Sequence, residues 1–229
     1  MAIIAHRGFK DTYPENSIKA FREAIEKGCR HLEVDLHMTR DKVFALYHDD
    51  TIQGHQVTDL TFEKLNHIQP VDRFEEFKDL IASYPKLNFE LILDLKFSHR
   101  SELEHLLPLL DPFCVFKNSR VILQVGTSLV QTLYDFLIER YCTYLYQISW
   151  LPDDDKDFET DHDFRKYPHM IMHDYRYFLK NPDFKLPSGV KTQIYVYTVN
   201  SESTILQLQK MPIISGIVTD HSKFMNVSP

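Results

Sequence analysis

Cysteine is scarce in this 229-residue chain: Cys29, Cys114 and Cys142 are odd in number and far apart. Such a set builds neither a disulfide framework nor a CxxC metal site, and it fits a reducing compartment. There are six glycines, and neither a GxGxxG turn nor a Walker-type loop follows an apolar run, which removes the usual nucleotide-binding readings. No apolar span approaches the roughly 18 residues of a membrane helix. The N-terminus passes from Met1 into Ile3, Ile4 and Ala5 with no charged leader or apolar h-region, so the expectation is an unprocessed, cytoplasmic chain without a transmembrane segment. Positive charge is short as well: 26 Lys and Arg stand against 33 Asp and Glu, a net charge of −7. A broad polyanion-binding surface is thereby disfavoured, and nucleic acid is not an expected partner.

What is present is the 43% hydrophobic, 26% charged profile of a globular chain, long enough for one large domain over residues 1–229. Short β-rich runs recur at Ile3–His6, His31–Leu36, Phe89–Lys96, Arg120–Val125, Thr143–Ile148, His169–His173, Thr192–Thr198 and Gly216–Thr219. Helical stretches lie between most of them: Ser17–Lys27, Thr61–Tyr84, Ser101–Leu110, Ser128–Arg140 and Ser201–Lys210. Alternation of β and α elements predicts an α/β fold with a parallel sheet, and eight such units match a (β/α)8 TIM barrel better than an open doubly wound sheet, whose glycine loops are missing. One further run, Val43–His48, follows His31–Leu36 after a few residues around Arg40-Asp41-Lys42. That spacing is too short for a parallel crossover and predicts a β-hairpin extension after the second strand. A turn centred near Asp41 returns His48 to the level of Glu33 and Asp35.

Glu33 and Asp35 share one face of their strand, as do Asp94 and Lys96 of theirs. Three carboxylates near strand ends are what a hard cation such as Mg2+ or Ca2+ requires, at the rim where barrel enzymes place their chemistry. By itself an E-x-D pair equally describes a solvated strand face. A lone histidine, whether His6 beside Arg7 or His48, equally describes a packed or surface residue. The case rests on their convergence.

The ordered set His6-Arg7-Gly8, Pro14-Glu15-Asn16-Ser17, Ala20-Phe21, Gly28, Leu32-Glu33-Val34-Asp35 with Thr39 and Asp41, and His48-Asp49 resembles the N-terminal block of the glycerophosphodiester phosphodiesterases. Val57-Thr58-Asp59-Leu60-Thr61, Leu93-Asp94-Leu95-Lys96, Val196-Tyr197-Thr198-Val199-Asn200 and Gly216-Ile217-Val218-Thr219-Asp220 extend the resemblance over nearly the whole chain. It implies a TIM barrel with a divalent cation on Glu33, Asp35 and Asp94, and His6 and His48 as the acid/base pair. Arg7 and Lys96 would offset phosphoryl charge, while Glu15 and Asn16 would be scaffold or phosphate-positioning groups and Tyr197 a flat face for a small phosphodiester substrate. It also implies an internal nucleophile, the glycerol hydroxyl next to the phosphate, forming a cyclic phosphate that water opens.

The chain departs from the family at two points, with Asp94 where glutamate is usual and Tyr197 where tryptophan is usual. Asp94 also resembles the toxin-type phospholipases D, which share the barrel and both histidines. Those proteins are secreted and disulfide-bonded, so a lysophospholipid- or sphingomyelin-directed enzyme is the second reading and a non-catalytic barrel the third. The segment Asp50–Leu87 is short for a family in which an insertion there shapes glycerol recognition. The run Asp153, Asp154, Asp155, Asp157, Glu159, Asp161 and Asp163 outweighs Lys156 by six and so carries most of the net negative charge. It is no EF-hand, since Phe158 and Phe164 replace the required Gly and Glu. It reads as a solvated loop, with a cationic headgroup held by its field and by Trp150 or nearby tyrosines as the functional alternative. His173 is expected on the surface or facing the site, and His37 behind the carboxylates.

Overall fold

The computed structural model describes residues 1–97, 99–115, 119–140, 143, 145–156, 169–186 and 188–226. Asp157, Glu159, Asp161 and Asp163, with Phe158, Phe164 and Cys142, lie outside the described residues. Strand β1 (Ala2–His6) leads to helix α1 (Ile18–Glu26), β2 (His31–Met38), β3 (Phe44–Leu46) and a small ribbon of β4 (Thr51–Ile52) and β5 (His55–Gln56). Helices α2 (Phe62–Ile68) and α3 (Phe74–Ala82) then precede β6 (Glu90–Leu95), α4 (Arg100–Val115), β7 (Arg120–Gly126), α5 (Thr127–Glu139) and β8 (Tyr146–Leu151). The chain continues through β9 (Met170–Asp174), α6 (Tyr175–Lys180), β10 (Gln193–Tyr197), α7 (Glu202–Leu208) and β11 (Ile214–Thr219). β1, β2 and β6 to β11 are all parallel, and the sheet closes because β1 pairs with β2 on one side and with β11 on the other. This is the (β/α)8 TIM barrel that the alternating pattern predicts.

Period-2 patterning builds two layers. Leu32, Val34 and Leu36 of β2 face outward with Leu91, Leu93 and Leu95 of β6, and pack under the helices in the large core. The inward set plugs the barrel with Ile4, Ile92, Ile122, Met170, Met172, Tyr195 and Val218. Gly216 belongs to that layer, and a Cβ there would run into the Tyr195 ring. Two residues beyond Ile4, Ile92, Ile122, Met172, Tyr195 and Val218 stand His6, Asp94, Gln124, Asp174, Tyr197 and Asp220. One step of the strand repeat therefore converts an apolar plug into a polar rim at the C-terminal face.

The hairpin forms with the expected register, Leu36 opposite Leu46, His37 opposite Ala45 and Met38 opposite Phe44. Its turn closes where the Lys42 amide donates to the Thr39 carbonyl at 2.8 Å, with the Thr39 hydroxyl donating to Asp41 Oδ1 at 2.7 Å. Two expectations need correction. Thr61–Tyr84 is two helices rather than one: Gln69, just before Pro70, is extended (φ −147°, ψ 128°), as a residue preceding proline prefers, and α3 restarts where the Arg73 amide donates to Glu76 Oε2 at 2.8 Å. The strand expected at Thr143–Ile148 runs three residues later, because pairing with β7 begins at Tyr146 and continues to Leu151, just before Pro152.

Candidate active site

The rim is assembled from strand ends and the loop after β1. Arg7 and Gly8 both take positive φ, 55° and 77°, and at Gly8 a Cβ would meet Ala20 of α1 at 2.7 Å. The reversal lets the Arg7 amide donate to both the carbonyl and Oε2 of Glu33, each at 3.0 Å. Its guanidinium reaches across to Glu15 Oε1 at 2.8 Å and to Asp35 Oδ2 at 3.0 Å. Ser17, whose hydroxyl accepts from the Ala20 amide at 3.2 Å, caps α1 and ends the loop.

Glu33, Asp35 and Asp94 each offer an oxygen, and the three atoms lie within 4.8 Å of one another. Although Asp94 is a methylene shorter than glutamate, β6 sits beside β2 with Asp94 opposite Asp35, which brings it into the cluster. All three are buried. Burial, with Asp35 and Asp94 alongside, pushes Glu33 well above the usual carboxylate range. Burial also raises Asp94 against the pull of Lys96. Against the same cost, Lys96, Arg7 and a hydrogen bond from Asn16 hold Asp35 below its ordinary value. Lys96 bridges the pair, 2.6 Å from Asp94 Oδ2 and 3.2 Å from Asp35 Oδ1, and is held protonated by them despite burial. Asp35 Oδ1 is buried and has Lys96 as its ion-pair partner, with no hydrogen bond of good geometry to it among the described residues. Three buried oxygen donors, two of them resisting ionisation, fit a hard divalent cation such as Mg2+ or Ca2+.

His6, Arg7, Glu33, His48, Asp94 and Lys96 line one cavity of about 120 Å3, with Gln124, Leu151, Met172, Tyr197 and Val218 as its other wall. Continuing the β2–β3 register places His48 opposite Val34, between Glu33 and Asp35. His37 points inward behind it and lies 3.3 Å from the His48 carbonyl through Nε2, so it braces the loop carrying His48. His48 Nδ1 is 2.7 Å from Asp49 Oδ1. Burial lowers His6 against the pull of Asp220, whose Oδ1 lies 2.7 Å from His6 Nδ1. Tyr197, at the end of β10, is pushed up to about 12 by burial and by Asp174 and Asp94.

Glu15 lies outside this lining: it grips Arg7 and Lys10, both at 2.8 Å, and borders a neighbouring cavity with His48. Trp150 faces the helices, its indole donating to Thr127 at 3.2 Å. It cannot meet a headgroup at the rim, because odd and even residues of β8 face opposite sides. His173 is neither on the surface nor in the reaction cavity; it is 3% exposed, stacks on Tyr177 at 5.0 Å and lies 3.6 Å from Asp155. Asp153, Asp154 and Asp155 line a second rim cavity of about 490 Å3 that shares Tyr197 with the first.

Three participants carried weak signals in the sequence. Asn16 donates to Asp35 Oδ2 at 2.8 Å and accepts from the Asp35 amide at 3.2 Å, a contact across 19 positions that the motif alone does not reveal. Gln124 is legible only once β7 is registered with Asp94 of β6. Asp220 follows the last strand with Val218 parity, but its partner His6 lies 214 positions away.

Among the described residues, no helix is long and apolar enough to cross a membrane. The mouse glycerophosphodiester phosphodiesterase 1 is 29% identical over 112 residues, 42% of this chain and 34% of that protein, so the chain spans about a third of this curated relative. The barrel superposes on a glycerophosphodiester phosphodiesterase from Thermotoga maritima with a TM-score of 0.76, at 18% identity over 100% of this chain and 98% of that one. An Oleispira antarctica phosphodiesterase, determined with the product sn-glycerol-3-phosphate, gives 0.70 at 15% identity over 98% and 95% of the two chains. Residues 6–132, over half the sequence and including every charged and imidazole group of the reaction cavity, match the glycerophosphoryl diester phosphodiesterase family, to which this chain belongs.

Proposed function

We propose that the chain, as one catalytic domain over residues 1–229, hydrolyses glycerophosphodiesters to glycerol 3-phosphate and an alcohol. The observation that carries this reading is the convergence of His6, His48, Arg7, Lys96 and the carboxylate cluster on one small cavity. The product held by the Oleispira protein supports the same substrate class. Glu33, Asp35 and Asp94 would hold Mg2+ or Ca2+. When bound, a cation of that class supplies Lewis-acid polarisation of phosphoryl oxygens and lowers the cost of the clustered carboxylate charge.

The residues of this chain do the rest. Arg7 is oriented by Glu15 and Asp35, and with Lys96 it faces the phosphoryl group and offsets its charge. One imidazole accepts the proton of the glycerol hydroxyl adjacent to the phosphate as that oxygen attacks phosphorus, and the other donates a proton to the departing alcohol oxygen. The cyclic phosphate so formed is opened by water with the two roles exchanged, which yields glycerol 3-phosphate. Because the nucleophile is internal to the substrate, no serine or cysteine nucleophile is required. Tyr197 gives the substrate a flat wall on the far side.

Phosphorus NMR of the protein with glycerophosphocholine, glycerophosphoethanolamine and lysophosphatidylcholine, under Mg2+, Ca2+ and EDTA, tests the reading. Cation-dependent glycerol 3-phosphate from the two soluble diesters is the expected result. Turnover of the lysolipid alone would move the assignment to a phospholipase-D-like activity, and no turnover of any of them would overturn it.

A further inference from the structure

The two imidazoles facing the cavity are held very differently. His48 Nδ1 meets Asp49, the next residue, whose side chain is 68% exposed. His6 Nδ1 meets Asp220 at 2.7 Å, and the Asp220 side chain is 17% exposed. Asp220 is itself fixed from several directions. Asn200 donates to its Oδ2 at 2.6 Å, and Lys10 lies 3.1 Å from its Oδ1. Asn200 Oδ1 accepts from the Asp220 amide and from the Thr219 hydroxyl, each at 3.0 Å. The Lys10 amide also donates to the Asp220 carbonyl at 2.9 Å. A carboxylate immobilised this way accepts a hydrogen bond in one direction. It therefore selects the His6 tautomer with the proton on Nδ1 and fixes the ring plane, leaving Nε2 as the atom available to the cavity.

We infer that Asp220, held by Asn200 and Lys10, is a positioning residue for His6: it fixes the ring and its Nδ1–H tautomer so that Nε2 exchanges protons with the substrate. This rests on the acid/base reading above, but its spectroscopic test needs no substrate. Nitrogen-15 NMR of histidine-labelled wild-type protein should show His6 protonated on Nδ1 and bare on Nε2 when neutral; the opposite tautomer, or an even mixture, would overturn the inference. Asp220→Asn, checked for native fold by circular dichroism, should lower kcat about 10²-fold with KM within about threefold, and should lose the single tautomer. Asp11→Ala removes a different tie between the N-terminal loop and the chain beyond the last strand, its contacts to His221 Nδ1 at 2.7 Å and to the Ser222 amide at 2.6 Å, without touching Asp220 or His6, and kcat should stay within about twofold. Folded Asp220→Asn with wild-type kcat, or Asp11→Ala with the same loss as Asp220→Asn, would show that Asp220 merely ties the N-terminal loop to the last strand. A correct tautomer in a protein that turns over no diester would instead count against the proposed function alone.

Discussion

The two halves of the barrel rim are built from different chemistry. β1, β2, β6 and the loops attached to them contribute His6, Arg7, Glu33, His48, Asp94 and Lys96 to the reaction cavity, whereas β7 to β11 contribute Gln124, Leu151, Met172, Tyr197 and Val218. The first half concentrates buried charge: three carboxylates are locked to Arg7, Lys96 and Asn16 by contacts of 2.6–3.2 Å. The second half gives shape, and its charges at Asp153, Asp154 and Asp155 are exposed and border a separate cavity. Substitutions in the first half, and of Asp220, which reaches back from the end of β11 to His6, should therefore act on the rate, and substitutions of the cavity-lining residues of the second half on which substrate is accepted.

The largest effects should come from the imidazoles. His6→Ala and His48→Ala should each lower kcat by about 10²–10⁴-fold, the usual contribution of a positioned acid or base, while circular dichroism and melting stay near wild type because both side chains stand at the rim rather than in the plug. Folded His48→Ala with a normal rate would remove it from the acid/base pair. A rate lost only through unfolding would mean that this half of the rim is structural.

Cation binding comes next in size. Glu33 and Asp94 have folded pKa values above their unfolded ones. At neutral pH their ionisation therefore works against the fold, and that cost fades as pH falls through the folded values. A cation relieves the same cost. At about 100 times its Kd it should stabilise the protein by about 2.7 kcal/mol, and the accompanying rise in Tm should shrink as pH falls from neutrality and protons compete for the ligands. Asn16→Ala should weaken cation affinity by about 10–100-fold, as loss of an orienting partner does. Calorimetric titration showing unchanged affinity would mean that Arg7 and Lys96 alone orient Asp35.

The same division governs what could be read from the sequence. The clustering of Glu33, Asp35 and Asp94, the rim placement of His6 and His48 and the hairpin register are legible in the sequence because they depend on period-2 parity and on a short turn, both local. Thr61–Tyr84 reads as one helical stretch from its residue pattern, but Pro70 forces Gln69 into an extended conformation and splits it into two helices. The misplacement of β8 had a different cause: β propensity begins at Thr143, but the start of the strand is decided by pairing to β7. Trp150 is a headgroup candidate by residue type and His173 a rim candidate by its place at a strand end, whereas strand parity sends Trp150 to the helices and buries His173 against Tyr177. Asn16 and Asp220 act on partners 19 and 214 positions away, and only chain closure brings them together.

The smallest effect should come from the acids of the second half, and it is the sharpest way to probe the division. Asp153 and Asp155 lie on the rim next to Tyr197, where an exposed charge is screened over about 10 Å at 0.1 M salt and a single exposed pair contributes about 0–1 kcal/mol. Arg176 already chelates Asp174, so the local field comes from the aspartates of the β8 loop set against Lys156 and Lys180. Asp153→Asn with Asp155→Asn should therefore reduce kcat/KM for a choline diester relative to an uncharged-headgroup diester by no more than about threefold, through KM, and less still at high salt. An unchanged ratio would leave the loop as mere solvated surface. An equal fall in kcat for both substrates would mean that the second half of the rim takes part in the chemistry and that the division between rate and selection does not hold.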